Sequence, residues 1–387
     1  MVIIGLFLNN EIRTGANRRY LELMEDLAKR GNTVLVVMND LLVYSPELFT
    51  RIGLPIPYTR KGLPPASWLF SKQHKTITKL VRKTCDTLGC IHPQWIHIHG
   101  DMHLPLAIKL KNTLHTKLFF AYRCNDVLRA KILRKSGHLS IREFFESLIL
   151  EKLNVYREGL IKKNADLICF QSTSDRDDWT NRNKAKKEQS VIIHGNIGLP
   201  RCTDEWKNTN KAEKLTSLIY IGAISASKGL FEVFSVLKML ITRGRSDVTL
   251  TILGNLKGSE PILKIAEDLG ISSSIIWAGY TIPFPHLAEA SLMIYPSLYD
   301  AFPDTILEAL HVGCPVIASN RGGIPDILGH EELLFNPDDI AGMTDFIENC
   351  INNPKEYLKI KNMCHERAEL FRFDWTAKWE TAMKNLE

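Results

Sequence analysis

Short runs of β-branched and aromatic residues alternate with longer amphipathic stretches along the whole chain, and this alternation limits the fold more than any other feature. Apolar runs this short suit strands covered on both faces, as in a parallel sheet, and the amphipathic stretches supply the covering helices. Strands are predicted at residues 2–8, 33–37, 95–99, 118–122, 167–171 and 191–194. Between the first two, residues 17–30 place Tyr20, Leu23, Met24 and Leu27 on one helical face and run into Gly31, a stop signal, so the chain opens with a βαβ unit. A polar stretch at 201–213 reads as a linker. Beyond it, strands recur at 218–221, 248–253, 275–278, 292–295 and 315–318, with helices at 229–243, 261–269, 304–311 and 340–352. The prediction is an α/β chain of two Rossmann-like, doubly wound domains, with ligand at the carboxyl ends of the strands in a central cleft between them.

A length of 387 residues fits that division, because single cores stop growing near about 250–300 residues. The content of 45% apolar and 24% charged residues is that of an ordinary globular chain and excludes disorder. No apolar run approaches the roughly 20 residues that span a bilayer, so a transmembrane helix is not expected. No basic residue precedes the apolar start Met1-Val2-Ile3-Ile4, which points to a first strand in a cytoplasmic protein rather than a signal peptide. Eight scattered cysteines with no CxxC pair and no Cys/His spacing are expected to be buried free thiols rather than disulfides or a zinc site.

The net charge of +6 conceals a division. Residues 1–200 carry 31 Lys and Arg against 18 Asp and Glu, whereas residues 201–387 carry 18 against 25. A basic first half calls for an anionic neighbour: a membrane surface, a polyanionic substrate or nucleic acid. Two stretches concentrate the charge. One is Lys72, Lys75, Lys79, Arg82 and Lys83; the other is a long Lys- and Arg-rich helical region at 129–163. Each reads either as a solvated helix face or as a docking element for an anionic surface. Beside the first, Trp68, Leu69 and Phe70 supply apolar insertion together with charge.

The segment with most chemical content is Tyr295-Pro-Ser-Leu-Tyr-Asp-Ala-Phe-Pro-Asp-Thr-Ile-Leu-Glu-Ala-Leu310, followed by Gly313-Cys-Pro-Val-Ile-Ala-Ser-Asn-Arg-Gly-Gly323. A strand ends near Pro296, a turn presents Asp300, and Pro303 with Asp304 suits a helix start. The backbone N–H groups of Asp304, Thr305 and Ile306 then lack helical acceptors and favour an anion, phosphate above all. One turn on, Glu308 lies among Ile306, Leu307, Ala309 and Leu310. It is either a surface glutamate or a buried carboxylate that needs a partner, such as a ribose diol.

This block of nearly thirty residues resembles the retaining nucleotide-sugar glycosyltransferases of the GT-B type, in particular family 4, the glycosyl transferases group 1. That family carries an acidic residue, seven residues, then Glu, within a strand-turn-helix ending in Leu-Glu-Ala-Leu, a Gly-x-Pro-Val-Ile-Ala strand and a Gly-Gly turn. The resemblance is strong over residues 215–350 and patchy over 1–200. It implies that Asp300 contacts hydroxyls of the donor sugar, that the backbone of Phe302, Pro303, Asp304 and Thr305 holds sugar and diphosphate, and that Glu308 binds the ribose. The family usually has Glu where Asp300 stands, so this carboxylate reaches about 1.5 Å less far.

A second matching element is Tyr220-Ile-Gly-Ala-Ile-Ser-Ala-Ser-Lys-Gly229, in which Gly222 is normally followed by arginine and that arginine clamps the diphosphate with a lysine. Lys228 is kept, whereas Ala223 occupies the arginine position. Fixed positive charge there stabilises the departing diphosphate, and one such group is worth about 2.7–4 kcal/mol by analogy with an oxyanion donor. Arg321 or an arginine of the basic half could compensate. Gly254 ends a matching Leu-Gly strand, Tyr280 opens the loop that in relatives holds the base by its backbone, and Gly15 stands in the glycine-rich first loop, where a pair is usual.

On the acceptor side, His99-Gly-Asp-Met-His103 and Arg123-Cys-Asn-Asp126 follow predicted strands. His99 and His103 are either satisfied strand-end histidines or sugar contacts. Arg123 and Asp126 either form a buried ion pair or act at the reacting hydroxyl, and Asn125 is a further acceptor-binding candidate. Candidate catalytic residues are therefore Lys228, Asp300, His99 and Arg123. His194 reads as structural. Asp175-Arg176-Asp177 has the Asp-x-Asp form of a metal site but follows Gln171-Ser-Thr-Ser174, a helix N-cap signal. No metal and no cofactor is expected.

The resemblance implies an acceptor-binding domain at 1–198, a nucleotide-sugar domain at 199–368 and a final helix within 369–387 crossing back to the first domain. It also implies sugar transfer from a UDP- or GDP-hexose to a glycan, lipid-linked or small-molecule hydroxyl, with retention by a front-face path. Closure of the domains excludes water. The partners implied are the nucleotide-sugar donor, that acceptor and an anionic membrane surface, but not nucleic acid. The location implied is cytoplasmic, peripheral on the inner face of a membrane. Because Ala223 and Asp300 depart together, a catalytically weak sugar-nucleotide or glycan-binding partner subunit stays open, as does a sugar-nucleotide epimerase.

Overall fold

The computed structural model describes residues 1–9, 11–12, 15–40, 42–54, 71–100, 103–137, 139–198, 202–258 and 260–386, the side chains of 15, 16, 54 and 71–76 excepted. The chain forms two compact units, one of Met1–Ala130, Ile141–His194 and Trp375–Glu387, the other of Lys131–Ser140 and Gly195–Asp374. No helix among the described residues is long and apolar enough to cross a membrane.

The first unit alternates β1 (Val2–Phe7), α1 (Gly15–Lys29), β2 (Thr33–Asn39), β3 (Thr50–Leu54), α2 (Ser71–Leu88), β4 (Trp95–His99), α3 (Leu104–Leu114) and β5 (Lys117–Tyr122). It continues through α4 (Asp126–Lys135), whose residues from Lys131 on are assigned to the second unit, α5 (Ile141–Asn164), β6 (Leu167–Phe170), α6 (Thr173–Asn183) and β7 (Ser190–Ile192). The sheet is parallel, in the order β3-β2-β1-β4-β5-β6-β7. Alternation along β1 sends Ile4 and Leu6 into one apolar cluster and Ile3 and Phe7 into another, so the sheet is covered on both faces. The order reverses between β1 and β4, where the Tyr20 hydroxyl is inserted: Leu6 N–H donates to it at 3.0 Å and it donates to the His97 carbonyl at 2.8 Å.

The second unit runs β8 (Ser217–Ile221), α7 (Leu230–Thr242), β9 (Thr249–Leu253), α8 (Glu260–Asp268), β10 (Ile275–Gly279), α9 (Phe284–Glu289) and β11 (Leu292–Tyr295). Then come α10 (Asp304–Val312), β12 (Val316–Ser319), α11 (Ile324–Leu328), β13 (Leu334–Phe335), α12 (Ile340–Asn352) and α13 (Pro354–Leu370). Its parallel sheet has the order β10-β9-β8-β11-β12-β13 and reverses between β8 and β11. The final helix α14 (Trp375–Lys384) belongs to the first unit, where Trp379 and Met383 are buried and Thr376 donates to Asp26 at 3.1 Å.

Four readings of the sequence need correction. β3 and β13 are strands that composition did not reveal, β3 because Thr50, Arg51 and Gly53 break its apolar pattern. The helical region at 129–163 is two helices, parted near Gly137, whose φ is +74°. The stretch at 201–213 is no loose linker over its described part. Asn208 and Asn210 donate backbone N–H groups to His311 and Val312 at the end of α10, and the Asn210 side chain donates to Leu287 and Ala290. These bonds satisfy carbonyls that two helix ends leave open. The expected burial of thiols holds for Cys169, Cys314, Cys350 and Cys364, but Cys90 is exposed and Cys85, Cys124 and Cys202 are half-buried; all eight are free.

Candidate functional site

In an open parallel sheet, the loops that diverge where strand order reverses leave a crevice at the carboxyl ends. In the second unit these are the loop after β8, which carries Lys228, and the loop after β11, which carries Asp300. The two side chains meet: Lys228 Nζ lies 2.5 Å from Asp300 Oδ2, with 28% and 18% of the side chains exposed. Tyr295, the last residue of β11, donates its hydroxyl to the same carboxylate oxygen at 2.8 Å. Burial, then the Asp300 charge and hydrogen bond, push the Tyr295 pKa well up, so the phenol keeps its proton.

The backbone around Asp300 is held from several sides. Gly322 has φ +59°, and a Cβ there would stand 1.9 Å from the Asp300 carbonyl oxygen; the Gly323 N–H donates to that oxygen at 2.9 Å. Ser319 donates to the Ser297 carbonyl at 2.6 Å, and Leu298 N–H donates to the Ser227 carbonyl at 3.1 Å. Gly229, φ +78°, lets its loop pass against Pro296, whose oxygen a Cβ would meet at 2.1 Å. Only glycine fits such approaches. Gly254 is similar, since a Cβ would lie 2.4 Å from the Gly222 carbonyl oxygen.

Pro303 takes the N-cap position of α10, so Asp304 and Thr305 open the helix. One part of the anion-site prediction is corrected: the Ile306 N–H donates to the Pro303 carbonyl at 3.2 Å, because the first turn tightens, and it is not available to a ligand. Glu308 is 1% exposed, which removes the surface-glutamate reading. Phe302 is buried and packs edge-on to Phe371, with ring centres 5.9 Å apart. Tyr280 is 91% exposed beside Gly279, whose carbonyl accepts the Gly254 N–H. Ala223 offers no side-chain donor, and its carbonyl accepts the Tyr220 hydroxyl at 2.7 Å. Arg321 donates to Asn336 at 3.0 Å.

In the first unit, Gly15 is the first residue of α1 and its surroundings lie outside the described residues, as do Trp68, Leu69 and Phe70. The ring of His99 stacks on Tyr20 at 5.5 Å. Burial, then the charge of Arg123, hold its pKa well below the usual range. His103 is buried at the N-cap position of α3, with its pKa lowered to about 4 by burial alone. His97, fully buried against Tyr20, Phe119 and Trp379, is lowered to about 3 by the same cause. His194 Nδ1 meets the Gln171 carbonyl at 2.8 Å, a structural contact.

Asn125 is fully buried and its amide is committed inside the unit: the oxygen accepts from Leu128 N–H and Arg182, and the nitrogen donates to Asp178. It therefore joins α4 to α6 rather than facing a ligand. Arg123 and Asp126 line a half-open cavity of about 90 Å³ with Tyr122, Asn154, Arg157 and Glu158. Asp126 is half exposed, with Arg129 4.0 Å away. Glu158 accepts hydrogen bonds from Tyr122 at 2.7 Å, from Asn183 at 2.9 Å and from Arg182.

Sequence reasoning missed Tyr295, whose only signal was its place at a strand end, and Asn154 with Arg157, which share a helix face by their three-residue spacing. In Asp175-Arg176-Asp177, the Asp175 N–H donates to the Ser172 hydroxyl and Arg176 pairs with Asp177 at 2.8 Å. Among the described residues, no group of three or more His, Cys, Asp or Glu could hold a metal ion.

Comparison with known proteins adds to this geometry. Residues 203–368 match the glycosyl transferases group 1 family. The serotype-specific mannosyltransferase WbdA of Escherichia coli is 29% identical over 123 residues, 31% of this chain and 15% of WbdA, so the match spans a small part of that relative. A Campylobacter jejuni protein, the N-acetylgalactosamine-N,N'-diacetylbacillosaminyl-diphospho-undecaprenol 4-alpha-N-acetylgalactosaminyltransferase, is 20% identical over 374 residues and 95% of both chains. Anabaena HepE, solved in complex with UDP, superposes with a TM-score of 0.70 over 100% of this chain and 99% of its own at 16% identity, a likeness of fold. Residues 203–368 thus carry the likeness to the glycosyl transferases group 1 family, in a chain whose two-unit α/β fold is that of GT-B proteins.

Proposed function

We propose that the chain is a retaining family 4 glycosyltransferase that moves a hexose-type sugar from a UDP- or GDP-sugar to a hydroxyl of a glycan, lipid-linked or small-molecule acceptor. The observation that carries this reading is the meeting of Lys228 and Asp300 at the reversal point of the second sheet, beside the start of α10. Lys228 exchanges Asp300 for the donor diphosphate and, with the Asp304 and Thr305 backbone, stabilises the charge that grows on the leaving group. Asp300, released, takes hydroxyls of the sugar. Glu308 takes the ribose, and the loop that Tyr280 opens takes the base.

In this reading the leaving phosphate oxygen accepts the proton of the attacking hydroxyl, and no side-chain nucleophile or metal is needed. His99, Arg123 and Asp126 contact the acceptor, with His103 behind them. His99, kept neutral, offers a hydrogen-bond acceptor rather than a charge. The lipid-linked acceptor in the name of the Campylobacter relative supports a lipid-linked acceptor here. With the basic first half, it supports a cytoplasmic protein lying peripherally on the inner face of an anionic membrane.

The test is a thermal-shift panel of UDP- and GDP-sugars followed by nucleotide release with acceptor. A ligand at 100 times its Kd adds about 2.7 kcal/mol of stability. No shift with any nucleotide would end the reading. Ala223 favours one second reading, a binding subunit, which tight nucleotide binding without turnover on any acceptor would identify.

A further inference from the structure

Along its first turns α5 carries an apolar stripe that faces outward: Ile141, Phe144, Phe145, Leu148 and Ile149 recur at i, i+3, i+4, i+7 and i+8, and all five are exposed. What the helix buries is Glu158 and Ile161, near its carboxyl end. The face it presents there, with Asn154, Arg157 and Glu158, follows the three- and four-residue spacing of helical neighbours. It closes the half-open cavity of the first unit against the loop after β5, which contributes Arg123, Cys124 and Asp126.

Two arginines and two acidic residues line this space, yet their charges do not cancel inside it. Glu158, 3% exposed, accepts hydrogen bonds from Tyr122 and Asn183 and pairs with Arg182, a cation that is not part of the lining. Its charge is therefore answered from behind the wall. Burial pushes the Cys124 thiol pKa well up, so that side chain brings no charge. The Asp126 side chain is 48% exposed and is screened by water. Arg123 and Arg157 remain as the cations of the lining, and Arg157 Nη1 donates to Asn154 Oδ1 at 3.0 Å, which holds its guanidinium in place. A volume of about 90 Å³ is below the roughly 300 Å³ of a pocket for a whole small molecule. It suits one anionic group, with the rest of its molecule projecting through the open side. Guanidinium forks match the oxygens of phosphate in geometry as well as charge.

We propose that this cavity is an anion subsite for the acceptor, in which Arg123 and Arg157 hold an esterified phosphate of the molecule whose hydroxyl receives the sugar. This rests on the acceptor part of the function proposed above and is independent of the donor chemistry. Arg123 then grips the acceptor's phosphate rather than its reacting hydroxyl. Both arginines have other contacts within the chain, and the phosphate takes them over, as the donor diphosphate takes Lys228 from Asp300. Asp126 is left for a hydroxyl of the same molecule. Acceptors with a phosphate are thereby preferred to neutral glycans.

The experiment is titration calorimetry of the full chain with glucose 6-phosphate, glucose and inorganic phosphate as probes. It is run with saturating UDP and again in Lys228→Ala, so that phosphate at the donor site is not read. Glucose 6-phosphate is expected to bind more tightly than inorganic phosphate, and glucose not to bind. Arg123→Gln and Arg157→Gln should each weaken glucose 6-phosphate by about 10- to 100-fold, the loss expected for hydrogen bonds to a charged group. Arg157→Lys, which keeps the charge and loses the fork, should fall between. Equal binding by the wild type and both glutamine variants overturns the proposal, as does glucose binding as well as its phosphate. Inorganic phosphate bound as tightly as the ester also overturns it, since the cavity would then be a site for free phosphate. Merely structural arginines would lower the melting temperature and leave phosphate binding in place, which again overturns it. Loss of the UDP-induced thermal shift with glucose 6-phosphate binding intact would strike the donor reading alone.

Discussion

In the second unit, Lys228, Asp300 and Tyr295 converge on one carboxylate oxygen, whereas in the first unit His97, His99 and His103 are gathered on and beyond β4 and kept neutral by burial. Both clusters lie where their sheet reverses order, so topology alone does not decide how charge is handled. Pairing keeps a charge available, because a stronger anion can take the lysine from Asp300. Desolvation removes the charge altogether, and no ligand exchange restores it. The first cluster is thus suited to hydrogen bonding and the second to electrostatic stabilisation.

The largest expected effect separates the two by pH. A base whose folded pKa lies below its unfolded value of about 6.5 lets the unfolded chain bind protons first on acidification. Stability is therefore full above about pH 6.5 and falls as pH drops toward the folded values of about 3 for His97 and about 4 for His103. Each histidine should remove about 1.4 kcal/mol per pH unit across that window. Melting temperature against pH will show this, and His97→Phe, which keeps a ring against Phe119 and Trp379, should flatten the acid slope. A slope unchanged by His97→Phe and by His103→Gln would mean that desolvation does not govern this cluster.

Next in size, Lys228→Ala should lower kcat for the best nucleotide sugar by about 10²–10³, or about 2.7–4 kcal/mol, with the melting temperature little altered. Lys228→Arg should restore part of it. If the alanine variant keeps full turnover, pairing with Asp300 is merely structural and the contrast between the units disappears.

A smaller effect tests the scaffold of the paired cluster. Gly322→Ala forces a side chain to positive φ, about 1–2 kcal/mol, and drives a Cβ into the Asp300 carbonyl. The expected result is a lower melting temperature together with weaker nucleotide binding. The equivalent change at Gly137, φ +74° with nothing within 4 Å of a Cβ among the described residues, should cost stability alone.

How much of this was legible follows from the range of the interactions. Apart from β3 and β13, the sheet strands and the start of α10 announce themselves because runs of apolar residues and Pro303-Asp304 act locally. Asp300 and Lys228 were legible as residues, through the family resemblance of their segments, but their mutual pairing across 72 positions was not. The neutrality of His97 depends on Tyr20, Phe119 and Trp379, brought together by three separate elements, and no window of sequence contains it. Asn125 looked like a binding residue because polar side chains at strand ends often are. Only the structure shows both ends of its amide taken by α4 and α6. The outward stripe of α5 has the periodicity of a buried helix face, and periodicity carries no sign for inside or outside.

The smallest effect concerns Tyr295, which acts through Asp300 and is therefore a positioning residue. Its hydroxyl holds Oδ2 at 2.8 Å while Lys228 holds the same atom, so the phenol fixes where the carboxylate stays once the lysine turns to phosphate. Tyr295→Phe keeps the ring in its buried place and removes one hydrogen bond to a charged group, about 1.5–3 kcal/mol at most and less where Asp300 is part-exposed. The expected result is a fall of about tenfold in kcat for the sugar nucleotide with unchanged affinity for UDP or GDP alone, because the free nucleotide lacks the sugar that Asp300 would orient. A merely structural tyrosine would instead lower the melting temperature and weaken nucleotide and nucleotide sugar alike, and that pattern would return Tyr295 to the core of the second unit.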